Sequence, residues 1–286
     1  MYRYLGSTGI EMYTLVGGLG WVFIFIYNFF MFSHKRNLLS NSSLSLIKIA
    51  SARNKKSLFS KAGFWTTMEI FIISCIQILP SAFFNVKVGN LLNTGANYFG
   101  LLYFIPFVLF AFFFFISVNP IKQTDLITPA YPIALIFVKL ACFCDGCCGG
   151  FECEWGLVNY HYETGPQREF PTQLVEAGLA LIIFLFLLWY RKRAKEGTLF
   201  PTYLIIYSAT RFFSEFTSNK PDILWHLKTY HILCIIGIIL GVAELILVLK
   251  YSEKIKPLFE NSVFTLFEKQ KSKITKKNQH HKKKKI

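Results

Sequence analysis

Apolar residues run along this chain in long blocks, separated by short polar, Lys-rich or Gly-rich stretches. A helix takes roughly 20 residues to cross the hydrocarbon core of a bilayer. Blocks of that length, such as residues 171–190 and 231–249, therefore predict membrane-spanning helices and argue against a soluble all-α protein. Seven spans are predicted, at about residues 13–33, 66–86, 98–118, 127–146, 171–190, 199–216 and 231–250. The fourth and sixth are the weakest by hydropathy because each holds a cation, Lys139 and Arg211. A cation at membrane depth is costly and usually faces a protein cavity. Its partner there is a carboxylate or the phosphate of a lipid head group. The two imperfect spans are thus the predicted functional helices.

Composition agrees with this pattern: 53% of the residues are apolar and 17% aromatic, as in polytopic membrane proteins. Glu11 stands just before the first apolar run and no small-x-small cleavage site precedes the basic stretch, so that run is expected to be an anchor. Lys and Arg outside the spans divide 24 to five between the two sides. The rich side holds seven from Lys35 to Lys61, Lys122, four from Arg191 to Lys195 and twelve from Lys250 onward. The positive-inside bias then sets the N-terminus outside and the C-terminus in the cytoplasm. The net charge of +15 is explained by topology and needs no nucleic-acid partner. The expected fold is an all-α polytopic helical bundle, residues 1–251. A basic tail, 252–286, is expected to be disordered at its end. Its Lys282 to Lys285 run either touches anionic lipid or is simply solvated. Residues 40–61 carry Leu44, Leu46, Ile47 and Ile49 among polar neighbours and suggest a short interfacial helix.

Three segments between Asp125 and Asn219 carry candidate chemistry. Residues 139–156 contain five of the seven cysteines, Cys142, Cys144, Cys147, Cys148 and Cys153. Their spacing leaves four readings open. Cys144-x-x-Cys147 is half of a zinc site, with no clean second half after it. A disulfide near the outer face would include Cys153. A reactive thiol would have Lys139 as its activating charge. Small, soft residues also simply pack a tight turn. In the second segment, Gln173 and Glu176 are polar, three apart and on one face of a helix start behind Pro171. They form either an interfacial cap or a polar site. In the third, Tyr207, Arg211 and Glu215 make a stripe at i, i+4 spacing. An Arg211–Glu215 ion pair within the helix would justify burial without function, and a polar cavity is the other reading.

Taken together and in order, these blocks resemble the prolipoprotein diacylglyceryl transferase family. The matching residues are Asp125 and Pro129, the block 139–150, Pro-Thr-Gln-Leu-Val-Glu at 171–176, Gly197, and Tyr207-x-x-x-Arg211-Phe-x-x-Glu215-Phe. The resemblance is strong over about 95 residues, and the seven-span topology fits the remainder. It implies transfer of the diacylglyceryl group of phosphatidylglycerol to the lipobox cysteine thiol of a prolipoprotein signal peptide. The reaction would occur on the outer side of a bacterial cytoplasmic (inner) membrane, releasing glycerol phosphate. No metal or organic cofactor is implied. Arg211 and Lys139 would hold the lipid phosphate, with Gly150, Gln173, Tyr207, Glu215 and Asp145 around the substrates. Arg211 matches an essential arginine of the family.

The departures are specific. The family's block opens with an essential Arg and continues Gly-Asn-Phe, where this chain has Lys139 and then Ala141, Cys142 and Phe143. Lys keeps the charge and loses the two-pronged fork for phosphate. The family's third-span His is replaced near Tyr98, and the His that often precedes Pro-x-Gln-Leu is Phe170. The base that would take the acceptor's proton is then Glu176, Tyr98 or His161. Two other classes stay open: a divergent homologue that binds anionic lipid without transfer or with another acceptor, and a thiol redox protein using Cys144 and Cys147.

Overall fold

A computed structural model describes residues 12–34, 98–115, 120–161, 165–219 and 227–260. The predicted span at 66–86, the predicted interfacial helix at 40–61 and the end of the basic tail lie outside these residues. The described chain is mostly helical. Its elements are α1 (Met12–His34), α2 (Tyr98–Phe115), α3 (Pro120–Ile127), α4 (Ala130–Asp145), β1 (Glu152–His161), β2 (Gly165–Glu169), α5 (Thr172–Tyr190), α6 (Leu199–Glu215) and α7 (Thr229–Glu260). Among the described residues, three stretches are long and apolar enough to cross a membrane: Ile121–Asp145, Thr172–Tyr190 and Thr229–Tyr251. α7 continues past Tyr251, where the sequence suggested that the tail begins.

The fourth predicted span, 127–146, corresponds to α4, and a separate helix, α3, precedes it. α3 ends at Thr128 and Pro129, and a residue before proline is pushed out of the helical region. Thr128 turns its hydroxyl back to the Thr124 carbonyl at 2.8 Å. Pro132 falls in the first turn of α4, where its missing N–H removes no helical bond. α4 stops at Gly146, whose φ of 78° is left-handed and whose N–H folds back on the Cys142 and Phe143 carbonyls.

Residues 152–169, between α4 and α5, form a β-hairpin. β1 and β2 pair antiparallel, with Val158 opposite Arg168 and Tyr160 opposite Pro166, and an irregularity lets Glu169 face both Glu152 and Leu157. The fold is therefore mainly, not wholly, α. Alternation of apolar and polar side chains is weak in this segment, which hides a strand whose two faces are both largely open.

Each long helix buries one face. On α5 the buried residues are Thr172, Gln173, Glu176, Ala177, Ala180, Ile183 and Leu187, a helical stripe, while Leu181, Ile182, Leu185 and Trp189 face outward. α6 lies against α5 and α7, and α4 against α1 and α5. The core holds Phe99, Leu102, Ile127, Leu135, Tyr203 and Leu204. Lipid tails are as apolar as leucine, so burial alone does not hold such helices together; packing and interhelical hydrogen bonds do. Buried tyrosines supply several. Tyr98 donates to the Tyr131 carbonyl at 2.7 Å and meets the Tyr203 hydroxyl at 2.9 Å, and Tyr27 donates to the Leu126 carbonyl at 3.2 Å.

α6 is tied at both ends. Its N-cap, Thr198, makes no side-chain cap bond. Asp125 of α3 takes over that task, accepting from Gly197 N at 2.5 Å and Leu199 N at 3.1 Å. A carboxylate there also complements the positive end of the helix dipole. At the other end the buried Lys228 donates to the Glu215 carbonyl at 3.1 Å and to the Ser218 carbonyl. It satisfies oxygens that the last turn of a helix leaves without partners.

Candidate active site

The cations of the fourth and sixth predicted spans meet on one carboxylate. Glu176, in the second turn of α5, holds Lys139 Nζ of α4 at 2.5 Å through Oε2. Its Oε1 pairs with Nη1 of Arg211 on α6. Arg211 also pairs through Nη2 with Glu215, one turn later on its own helix. Ser214 Oγ lies between them, 3.3 Å from Arg211 Nη1 and 3.4 Å from Glu176 Oε1. The guanidinium carbon stands 5.3 Å from the centre of the Tyr230 ring, a cation–π distance. Side-chain exposure is 7% for Arg211, 5% for Glu176, 0% for Glu215 and 13% for Lys139. Four charges this deep hold only as a set, because removing one partner of a buried pair costs about 3–5 kcal/mol. Two positive and two negative charges leave the group formally neutral.

The intrahelical Arg211–Glu215 pair is thus real and is half of a larger network. Tyr207 is buried one turn before Arg211 and lines the same narrow cleft between α4, α5 and α6. Leu135, Leu179, Ala180, Ile183 and Thr210 complete its mostly apolar wall.

The remaining candidates fall elsewhere. Gln173 is buried and donates from Nε2 to the Cys147 carbonyl at 2.7 Å, so it clamps the cysteine turn. Tyr98 packs edge-on to Tyr207 at 5.2 Å between ring centres, but its hydroxyl is engaged with Tyr131 and Tyr203. Asp145 is exposed at the end of α4. Gly150 pairs with Ser218 across an isolated bridge. A Cβ there would sit 2.5 Å from Thr172 Oγ1 and 2.7 Å from the Phe170 and Thr217 carbonyls, so a larger residue would part the turn from α6. His161 closes β1 opposite Gly165. Of the candidate bases whose side chains are described, Glu176 is the one in the ion network.

Sequence reasoning missed Ser214, Lys228 and the Asn159–Glu169 pair. Ser214 lies three residues after Arg211, a spacing that alone places it on the same helix face. Lys228 reads in the sequence as an ordinary boundary cation before an apolar block. Asn159 Nδ2 donates to Glu169 Oε2 at 3.0 Å and to the Gly146 carbonyl at 3.2 Å, a bond across the hairpin that only tertiary structure reveals.

No disulfide joins the described cysteines. The sulfurs of Cys142, Cys147 and Cys148 lie within 4.8 Å of one another, and Cys144 is outside that group.

Apolar helices, interhelical polar bonds and a buried ion network beside an apolar cleft define a helical membrane protein with an internal charged site. The family model for prolipoprotein diacylglyceryl transferase matches residues 4–247, and the chain belongs to that family. It is similar to the phosphatidylglycerol–prolipoprotein diacylglyceryl transferase 2 of Clostridium perfringens, 35% identical over 108 residues, which are 36% of this chain and 42% of that protein. The phosphatidylglycerol–prolipoprotein diacylglyceryl transferase of Clostridium tetani is 30% identical over 128 residues, 43% of this chain and 51% of the relative. The protein of that name from Chlorobaculum tepidum is 28% identical over 178 residues, 59% and 61% of the two chains. The matched segments thus span about half the length of these curated relatives.

Proposed function

We propose that this protein transfers the diacylglyceryl group of phosphatidylglycerol to the cysteine thiol of a prolipoprotein lipobox. The observation that carries the proposal is Glu176 bridging Lys139 and Arg211, with Glu176 and Arg211 lining a narrow, mostly apolar cleft. The relatives' names supply the two substrates, and the chemistry of the ion network is suited to both.

In this reading Arg211 and Lys139 bind the lipid phosphate, while the acyl chains extend into the surrounding bilayer. Glu176 takes the proton of the acceptor thiol, since the thiolate is the nucleophile. The thiolate attacks the glyceryl carbon next to the phosphate. A C–S bond forms, the C–O bond breaks, and its electron pair leaves on the phosphate of glycerol phosphate. The phosphodiester gains one negative charge as it becomes a monoester. Glu176 loses one as it becomes neutral, so the total charge of the network is conserved while both cations pass from carboxylate to phosphate. In water a Glu carboxyl and a Cys thiol lie about 4 pK units apart, which makes that proton transfer uphill by about 6 kcal/mol. Two preorganised donors on the developing charge are each worth about 3 kcal/mol, enough to offset it. Ser214 orients Glu176 and Arg211, and Glu215 keeps the guanidinium plane fixed.

We further assign seven spans with the N-terminus outside and the C-terminus in the cytoplasm, a transferase domain at residues 1–251 and a basic tail at 252–286. The protein is multi-pass in the bacterial cytoplasmic membrane. The asymmetry of Lys and Arg supports this orientation. The hairpin and the Lys139–Arg211 end of the bundle then face outward, where a signal-peptide cysteine emerges.

The test is transfer of labelled phosphatidylglycerol to a lipobox peptide by purified protein, with Arg211→Ala alongside. Label on the peptide thiol, absent with the variant, is the expected result. A well-folded protein that binds the lipid and transfers nothing would leave the chain as an anionic-lipid binder.

A further inference from the structure

The cysteine turn has a use that the transfer chemistry does not require. We propose that Cys142, Cys147 and Cys148 form a three-thiolate site for a thiophilic d10 metal ion, Zn(II) or Cu(I). Their three sulfurs already lie within 4.8 Å of one another. An ion about 2.3 Å from each of three sulfurs sets them about 4 Å apart. Side-chain movement of about 1 Å or less closes the site around an ion.

The backbone explains how residues at this spacing converge. Cys142 lies in the last turn of α4. The left-handed Gly146 ends the helix, and the Cys147 N–H then bonds back to the Cys142 carbonyl at 3.0 Å. That fold-back brings the thiols of Cys142 and Cys147 together. Cys148 has a φ of 62°, the only positive value at a non-glycine position among the described residues. A left-handed residue with a Cβ costs about 1–2 kcal/mol. Glycine would avoid that cost, whereas cysteine delivers a third sulfur to the group.

The turn is also braced from outside. Gln173 holds the Cys147 carbonyl at 2.7 Å, and Asn159, itself bonded to Glu169, holds the Gly146 carbonyl at 3.2 Å. Outer contacts of this kind preorganise the ligands of a metal site. Soft sulfur donors select Zn(II) or Cu(I) over Mg(II) or Ca(II). Cys148 is exposed, so the group is open on one side. Cu(I) is satisfied by the three sulfurs, and Zn(II) takes its fourth ligand from that open side.

The experiment uses the full chain, reduced and purified in detergent, titrated with Co(II) as the optical probe of a zinc site and separately with Cu(I). One ion per chain is expected in at least one arm, and which arm responds identifies the ion. Co(II) should give sulfur-to-metal charge-transfer absorption that Zn(II) abolishes. Cys148→Ser, at an exposed position, should keep the fold and lower affinity by more than the roughly 10–100-fold that loss of an outer contact costs. Cys144→Ser and Cys153→Ser should bind like the parent. Absence of stoichiometric binding in both arms overturns the proposal, as does binding that survives Cys148→Ser or is lost with Cys153→Ser. None of these readouts depends on transfer activity, so failure here leaves the transferase reading standing.

Discussion

α6 and α7 pack side by side, yet they are built for opposite surroundings. Within Thr229–Tyr251 only 17% of the apolar stretch is buried, and Ile232, Ile235, Ile239, Leu240, Ile246 and Leu247 face outward. α6 buries Tyr203, Tyr207, Ser208, Arg211, Ser214 and Glu215. Between these two helices, the more apolar one is the more exposed and the more polar one the more enclosed. The helix that looks least like a membrane span is the one other helices surround. Its charges are held because α4 and α5 bring Lys139 and Glu176 to them and Lys228 closes its C-terminal carbonyls. α7 approaches α6 through small residues. A Cβ at Gly241 would lie 2.7 Å from Ile205 Cγ1 and 3.1 Å from the Pro201 carbonyl, and one at Gly237 would meet Ser208. Glycines four apart are a common device for close approach of membrane helices.

The contrast breaks hardest at Arg211. Arg211→Ala removes a phosphate ligand, strands the buried Glu215 and leaves Glu176 with Lys139 alone. The transfer rate should fall by about 100–1,000-fold or more, and stability by about 3–5 kcal/mol. Transfer assays and thermal unfolding in detergent read the two effects separately. Arg211→Lys should recover much of the stability and less of the rate, because it restores charge without the fork. Recovery of full rate by lysine would show that charge alone suffices.

Glu176→Gln sharpens the mechanism with a smaller effect. Gln keeps the shape and hydrogen bonding while removing the proton acceptor. The expected loss is about 100-fold in kcat, the lower range for general-base catalysis. Phosphatidylglycerol binding should be unchanged or tighter, because both cations lose their competing carboxylate. A variant that loses lipid affinity but keeps kcat would assign Glu176 to binding rather than proton transfer.

The legible part of this structure was the part written in long apolar runs and fixed helical spacings. The bounds of α1, α5 and α6 match the predicted spans closely because polar residues stop each run. The stripe of Tyr207, Arg211 and Glu215 follows from geometry within one helix. The link from Arg211 to Glu176 crosses 35 residues and two helices, and no local pattern encodes it. Gln173 shows the same limit. It shares a helix face with Glu176, yet its amide reaches the cysteine turn and not the ion network. The hairpin was missed because its strands have no buried side to enforce alternation. Asp125 and Gly197 were noticed only as a resemblance; their physical role, a cap supplied from another helix, needed the fold.

Gly241→Leu tests the close approach of the two helices. The new side chain has no space beside Ile205 and Pro201, and overpacking of this kind costs about 1–3 kcal/mol. The rate per folded molecule should stay within a few-fold, because the ion network is built from α4, α5 and α6. Asp125→Ala follows at about 1 kcal/mol, the usual worth of a helix cap. It should lower the unfolding temperature with little change in KM, since Asp125 caps the end of α6 farthest from Arg211.

The smallest effect is expected on the outward face of α7, and it is the control that gives the others meaning. Ile239 is 62% exposed, so Ile239→Ala removes contacts that lipid or detergent chains replace and opens no cavity within the protein. Stability should change by no more than about 0.5 kcal/mol, as at surface positions generally, with no change in transfer rate. Ser208→Ala on α6 is the matched partner. It deletes one oxygen, far fewer atoms than the Ile239 change, at a fully buried site in contact range of Gly237. If polarity on α6 records protein contact, the smaller change at Ser208 should move the unfolding temperature more than the larger one at Ile239. The reverse order would mean that α7 is held by its apolar face, and that hydropathy does not separate the working helix from the lipid-facing one.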